Sequence, residues 1–239
     1  LDASARATAV DPMNPAIHLA AASANMELQE LPSSQAAIEQ ALALARDWEA
    51  PWFEYGKLWL RADDLEQAAE RFAEAARLMP SFSAALSNLG AALAETDRPD
   101  EAIDALHRAL SYDPEGYSIL NNLGVIHRNE KRIEAAIDAF RRAIAINPNF
   151  PQAKGNLRAA YRDVVPGWHF AMMDDKERND AYEAAIRRAV PGRRVLDIGC
   201  GAGLLSMMSA RAGAAHVTAC EAVSIIAERA REIVARNGL

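Results

Sequence analysis

The sequence predicts two architectures in one chain: an α-solenoid over residues 1–164, then the start of an α/β domain with a parallel sheet over residues 165–239. Three observations predict this. Pro80, Pro114 and Pro148 stand 34 residues apart, and a step of 68 back from Pro80 reaches Pro12. The triplet Asn88-Leu89-Gly90 returns as Asn122-Leu123-Gly124. Close to the C-terminus, the run VLDIGCGAGLL sets glycines between an apolar stretch of strand length and a helical one.

The repeats come first in the chain. A small residue, a large apolar residue and an alanine recur in fixed phase as Ala68/Phe72/Ala75, Ala102/Leu106/Ala109 and Ala136/Phe140/Ala143. This pattern closely resembles the tetratricopeptide repeat, whose unit is two antiparallel helices. A glycine at the helix crossing (Gly56, Gly90, Gly124) lets the backbones approach. The large residue fills the gap, and the proline stops the second helix. Full repeats are expected at 15–48, 49–82, 83–116 and 117–150. The first is degenerate, with Ser34, Ile38 and Ala41 in phase but Arg46 in the proline slot. Residues 1–14 read as the tail of an earlier repeat, and the segment from Pro151 reads as one capping helix. Trp52 and Trp59 fall in the repeat's own packing slots.

Stacks of this kind present a concave surface made by the first helix of each pair. Asn88, Asn122 and Asn156 lie 34 apart and are expected to line it. An amide both donates and accepts, so such a row suits an extended peptide backbone. The competing reading is that asparagine is simply common at this place in the repeat.

The α/β segment follows. Arg194–Ile198 and His216–Cys220 read as strands, Leu204–Gly213 and the run from Ser224 as helices, which gives β-α-β-α. Gly199, Gly201 and Gly203 are spaced G-x-G-x-G, whereas a dinucleotide turn is G-x-G-x-x-G. Asp197 stands two residues before the first glycine, where a carboxylate disfavours a phosphate but suits a cationic ligand. Glu221 ends the second strand, where it can accept from both ribose hydroxyls. S-adenosyl-L-methionine carries a sulfonium and an ammonium and no phosphate. The constellation resembles class I methyltransferases, which have a Rossmann-like sheet. The alternative is an ordinary tight strand-to-helix turn with a surface glutamate.

Composition narrows the classes. Residues 1–165 carry a net charge of −8 and residues 166–239 a net of +1. An acidic N-terminal part repels a nucleic-acid backbone and suits a basic protein partner, or is simply a solvated helical surface. No apolar run approaches the ~20 residues of a membrane helix. Cys200 and Cys220 are too few for a disulfide framework or a zinc site, so no metal is expected and a cytoplasmic setting is. Each cysteine reads as a small buried residue more readily than as half of a redox pair.

The stretch VPGWHFAMMDDKERNDAYEAAI precedes the first strand, and a helix is expected to start near Asp174-Asp175. Together with VLDIGCGAGLLSMMSARAGAAHVTACE it resembles the protein arginine methyltransferase family, in its branch with repeats ahead of the catalytic region. The resemblance covers the first half of that family's catalytic core. It implies that His169 and Arg178 fold over S-adenosylmethionine, with Arg178 meeting its carboxylate. It implies that Met172 lines the active site near the transferable methyl and that Gly199, Gly201 and Gly203 let the backbone approach the cofactor. It also implies that Glu221 holds the ribose. The bland readings are a solvated Arg178, a packed His169 and a core Met172. Many members carry a tyrosine pair upstream of the histidine, whereas this chain has only Tyr161 there.

The expected reaction is displacement, in which a guanidinium nitrogen attacks the methyl carbon. In the family two acceptor-orienting glutamates follow a fourth strand, and the resemblance leads us to expect them beyond Leu239. A pair of parallel strands leaves an apolar edge and face open. The expectation is therefore a piece of a longer enzyme that transfers no methyl group by itself. The alternatives are a non-catalytic repeat scaffold with a vestigial methyltransferase-like domain, and a methyltransferase with another acceptor.

Overall fold

A computed structural model describes residues 11–164 and 167–239, with the side chains of 167–170 left aside. The first ten residues of the expected N-terminal tail, and Val165 and Pro166, lie outside the described residues. The chain divides into two compact units, Leu1–Ala160 and Tyr161–Leu239.

The described part of the first unit is helical throughout its regular elements. Four antiparallel pairs follow one another: α1 (Pro15–Glu27) with α2 (Leu31–Leu44), α3 (Glu49–Arg61) with α4 (Leu65–Leu78), α5 (Ser83–Glu95) with α6 (Pro99–Tyr112), and α7 (Tyr117–Asn129) with α8 (Ile133–Ile146). Helix α9 (Pro151–Val164) comes next. Pro80, Pro114 and Pro148 each stand two residues beyond the end of a second helix, where a missing N–H and a fixed φ prevent continuation.

What fixes each pair is a glycine under a large side chain sixteen residues further on. A β-carbon on Gly56 would meet the Phe72 ring at 2.6 Å, one on Gly90 would meet Leu106 at 2.7 Å, and one on Gly124 would meet Phe140 at 2.5 Å. Phe72, Leu106 and Phe140 are fully buried, as are Ala68, Ala102 and Ala136 at the same crossings. The degenerate first pair solves the same problem with smaller parts. Ala22 takes the glycine place, Ile38 the large one, and the buried Ser34 hydroxyl donates to the Ala22 carbonyl at 2.8 Å. Trp52 and Trp59 pack, half-buried, against these cores, and Trp52 Nε1 donates to the Arg46 carbonyl at 3.0 Å.

The turn inside each pair has its own device. Gln29, Asp63, Asp97 and Lys131, again 34 apart, adopt left-handed φ values of 62°, 60°, 58° and 60°. None is glycine. An aspartate tolerates this region better than a long side chain does.

In the second unit α10 (Gly167–Asp174) leads into α11 (Lys176–Ala189), which Asp175 caps by accepting from Arg178 N at 3.0 Å. Strand β1 (Arg194–Ile198), α12 (Leu204–Arg211), β2 (His216–Cys220) and α13 (Ser224–Arg236) follow. The strands pair in parallel, with Asp197 opposite Ala219 and Ile198 opposite Cys220. The buried residues Ser206, Met207, Ser209, Ile225 and Ala230 come from α12 and α13. Leu196 and Ile198 on β1 are 61 % and 78 % exposed, so one face of the strand pair is open.

Candidate functional site

The C-terminal ends of β1 and β2 and the turn between β1 and α12 form one side of a cleft of about 370 Å³. The turn is possible because Gly199, Gly201 and Gly203 all take positive φ (71°, 54° and 82°), a region closed to most side chains. Asp197 and Glu221 both line the cleft and both are half-buried. Each is held. The buried Ser206 hydroxyl donates to Asp197 Oδ2 at 2.6 Å. Glu221 accepts from Gly201 N on Oε2 at 2.9 Å and from Val223 N on Oε1 at 3.0 Å.

Three more of the turn's amides are engaged as well. Gly199 N and Cys200 N both donate to the Cys220 carbonyl, at 2.8 and 3.0 Å, and Gly203 N donates to the Cys200 carbonyl at 2.9 Å. A dinucleotide turn instead offers its N–H groups to a pyrophosphate. Here the N–H groups of Gly199, Cys200, Gly201 and Gly203 bond within the protein, and two carboxylates line the cleft. The two carboxylates suit the hydroxyls of a ribose and a cationic ligand group. Burial pushes the Cys200 thiol pKa up, and the neighbouring Asp197 and Glu221 add to the effect, so this thiol stays protonated. Both cysteines are free.

Met172 and Arg178 line the same cleft from the opposite elements, together with apolar Leu204, Val223 and Ile226. Arg178 Nη1 donates to the Met172 carbonyl at 3.2 Å and to Asn179 Oδ1 at 2.9 Å, and the Tyr182 ring centroid lies 4.9 Å from its guanidinium carbon. His169 belongs to α10, but its side chain lies outside the described residues. The structure thus brings Met172, Arg178, Asp197, Gly199, Gly201 and Glu221 to one cleft. Gly203 opens α12 at the N-cap position. Ser206 and Asn179 were not singled out from the sequence. The one signal for Ser206 was a polar residue in the first turn of an apolar helix. Among the described residues no His/Cys/Asp/Glu cluster could hold a metal ion.

The three repeat asparagines differ. Asn88 and Asn122 are half-buried, and their amides make no hydrogen bond among the described residues. Asn156 Nδ2 instead donates to the Oδ1 of the buried Asn121 at 2.9 Å. Its amide links the last repeat to α9 and is only partly available to a ligand.

Known proteins match both parts. A tetratricopeptide-repeat family profile matches residues 53–110 and 88–153, and a profile for ribosomal protein L11 methyltransferase (PrmA) matches residues 180–239. The chain is 51 % identical over 79 residues to an arginine N(omega)-methyltransferase of Streptomyces achromogenes subsp. streptozoticus, covering 33 % of this chain and 22 % of that protein. It is 44 % identical over 90 residues to human protein arginine N-methyltransferase 9, covering 37 % of this chain and 11 % of that protein. The chain thus spans about a fifth or less of the length of these relatives. Among solved structures it resembles the MamA protein (TM-score 0.58, 21 % identity, 71 % of this chain and 95 % of that one). It also resembles a chain of the APC/C hetero-tetramer Cut9-Hcn1 (TM-score 0.58, 22 % identity, 62 % of this chain and 30 % of that one). At this identity the two likenesses show the helical-repeat fold alone. No described helix is long and apolar enough to cross a membrane. The chain is therefore a tetratricopeptide-repeat solenoid followed by a segment similar to the methyltransferase domains of protein arginine N-methyltransferases.

Proposed function

We propose that the protein to which this chain belongs is an S-adenosylmethionine-dependent protein arginine N-methyltransferase, with residues 1–164 presenting a protein substrate to a catalytic domain that begins at residue 165. One observation carries the reading: the carboxylates of Asp197 and Glu221 converge on a cleft that Arg178 also lines. Glu221 accepts from the ribose hydroxyls and Asp197 faces the cationic part of the ligand. Arg178 meets the ligand carboxylate, and Met172 lines the site near the transferable methyl. Gly199, Gly201 and Gly203 keep side chains out of the ligand's way, and His169 closes over it. When bound, the cofactor supplies an electrophilic methyl on a sulfonium. The residues of this chain hold and orient it and exclude water with Leu204, Val223 and Ile226.

The substrate side rests on the repeats. Asn88 and Asn122 offer free amides that match the donor and acceptor of an extended backbone, with Asn156 at the end of the row. The acidic charge of residues 1–165 favours a basic segment, as arginine-bearing substrates are. The free thiols suit a reducing cytoplasm. The test is calorimetric titration of the full natural protein with S-adenosylmethionine, followed by methyl transfer to an arginine peptide. Binding and transfer are expected. A protein that binds the cofactor's dinucleotide competitors and not S-adenosylmethionine would overturn the reading. The 239 residues alone are expected to transfer nothing.

A further inference from the structure

We propose that Asn179 is the positioning residue for Arg178, and through it sets selectivity for a ligand that carries a carboxylate. The proposal rests on the reading of the cleft as an S-adenosylmethionine site. The Asn179 amide is used at both ends. Its Oδ1 accepts from Arg178 Nη1 at 2.9 Å, and its Nδ2 donates to the Met173 carbonyl at 2.8 Å. It therefore ties the guanidinium to the end of α10, where Met172 and Met173 line the cleft. The Met172 carbonyl takes a second bond from the same Nη1, and the Tyr182 ring covers the guanidinium. One nitrogen and one face are thus fixed. Nε and Nη2 make no hydrogen bond, and no carboxylate pairs with Arg178, among the described residues. A half-buried cation with its remaining donors free at a cleft is prepared for an anionic group from outside the chain.

Only an amide can do this. Alanine would free Nη1 to swing. Aspartate would keep the acceptor but lose the donor to Met173, and would place a carboxylate on the guanidinium in competition with the ligand's own.

The experiment is titration calorimetry of the full natural protein, unmodified and as Asn179→Ala and Asn179→Asp, with S-adenosylmethionine and with its decarboxylated analogue. Asn179→Ala is expected to bind S-adenosylmethionine about tenfold more weakly, the effect of one charge-assisted hydrogen bond. Its affinity for the analogue should stay within about twofold. The near-isosteric Asn179→Asp should show at least as large a difference between the two ligands. Equal losses for both ligands, or no loss, in either variant would overturn the proposal and leave the cleft reading intact. Absence of S-adenosylmethionine binding by the unmodified protein would overturn the cleft reading itself, and the proposal with it.

Discussion

Gly124 lies against the ring of Phe140, so close that a β-carbon would fall 2.5 Å from ring carbon Cε1. The contact is a shape constraint shared by two helices. Gly124→Ala is therefore expected to destabilise the solenoid by about 1–3 kcal/mol, the usual result of overpacking. The Ala22/Ile38 pair of the first repeat indicates the cure. Phe140→Ile in the Gly124→Ala background should recover part of the loss, and a double-mutant cycle by urea unfolding would measure the coupling. Strictly additive effects would contradict the contact.

Lys131 holds a left-handed φ of 60° in the turn between α7 and α8. Asparagine reaches this region more readily than lysine does. Lys131→Asn is expected to raise stability by up to about 1 kcal/mol, visible as a higher urea midpoint. Asp63→Ala and Asp97→Ala should lower it.

His127 has its pKa lowered, first by burial and then by the charges of Arg132 and His107. Its Nδ1 is buried without a partner. A group whose folded pKa lies below the unfolded value of about 6.5 favours folding while neutral. The stability it contributes is present above about pH 6.5 and is lost as pH falls towards the lowered folded value. Thermal unfolding from pH 7.5 down to 5 should show His127→Gln losing less stability than the parent over that interval. Parallel curves would remove His127 as the cause.

Glu221 accepts one backbone N–H on each carboxylate oxygen. Glu221→Gln turns one acceptor into a donor that faces another donor. Titration calorimetry should show S-adenosylmethionine binding weakened about 10- to 100-fold, in line with one charged hydrogen bond lost and one donor left unpaired. Unchanged affinity would take the ribose away from Glu221.

Much of this was legible in residue spacing, because spacing is what the fold uses. The glycine and the large residue that covers it recur in register, so Gly56/Phe72, Gly90/Leu106 and Gly124/Phe140 could be read before any helix was seen. Strands β1 and β2 were legible as apolar runs on either side of a helix, and Asp197 and Glu221 as the acids at their ends. What stayed hidden depends on partners distant in sequence or on uncharacteristic residue types. The bond from Asn156 to Asn121 joins two residues that look alike in a list but are unequal in space. Asn179 and Ser206 sit on helices as ordinary polar residues until Arg178 and Asp197 are placed beside them. The left-handed turns were missed because Gln29 and Lys131 carry no glycine signal.

The helix pairs of the solenoid touch chiefly their immediate neighbours in the chain, α2 with α3, α4 with α5 and α6 with α7. Such wiring has a mechanical consequence. Pulled from its two ends, the array should yield in steps, as a chain of coupled springs, and each released hairpin should lengthen the tether before the next gives way. A substrate gripped across two hairpins would tie those springs together and stiffen that stretch alone.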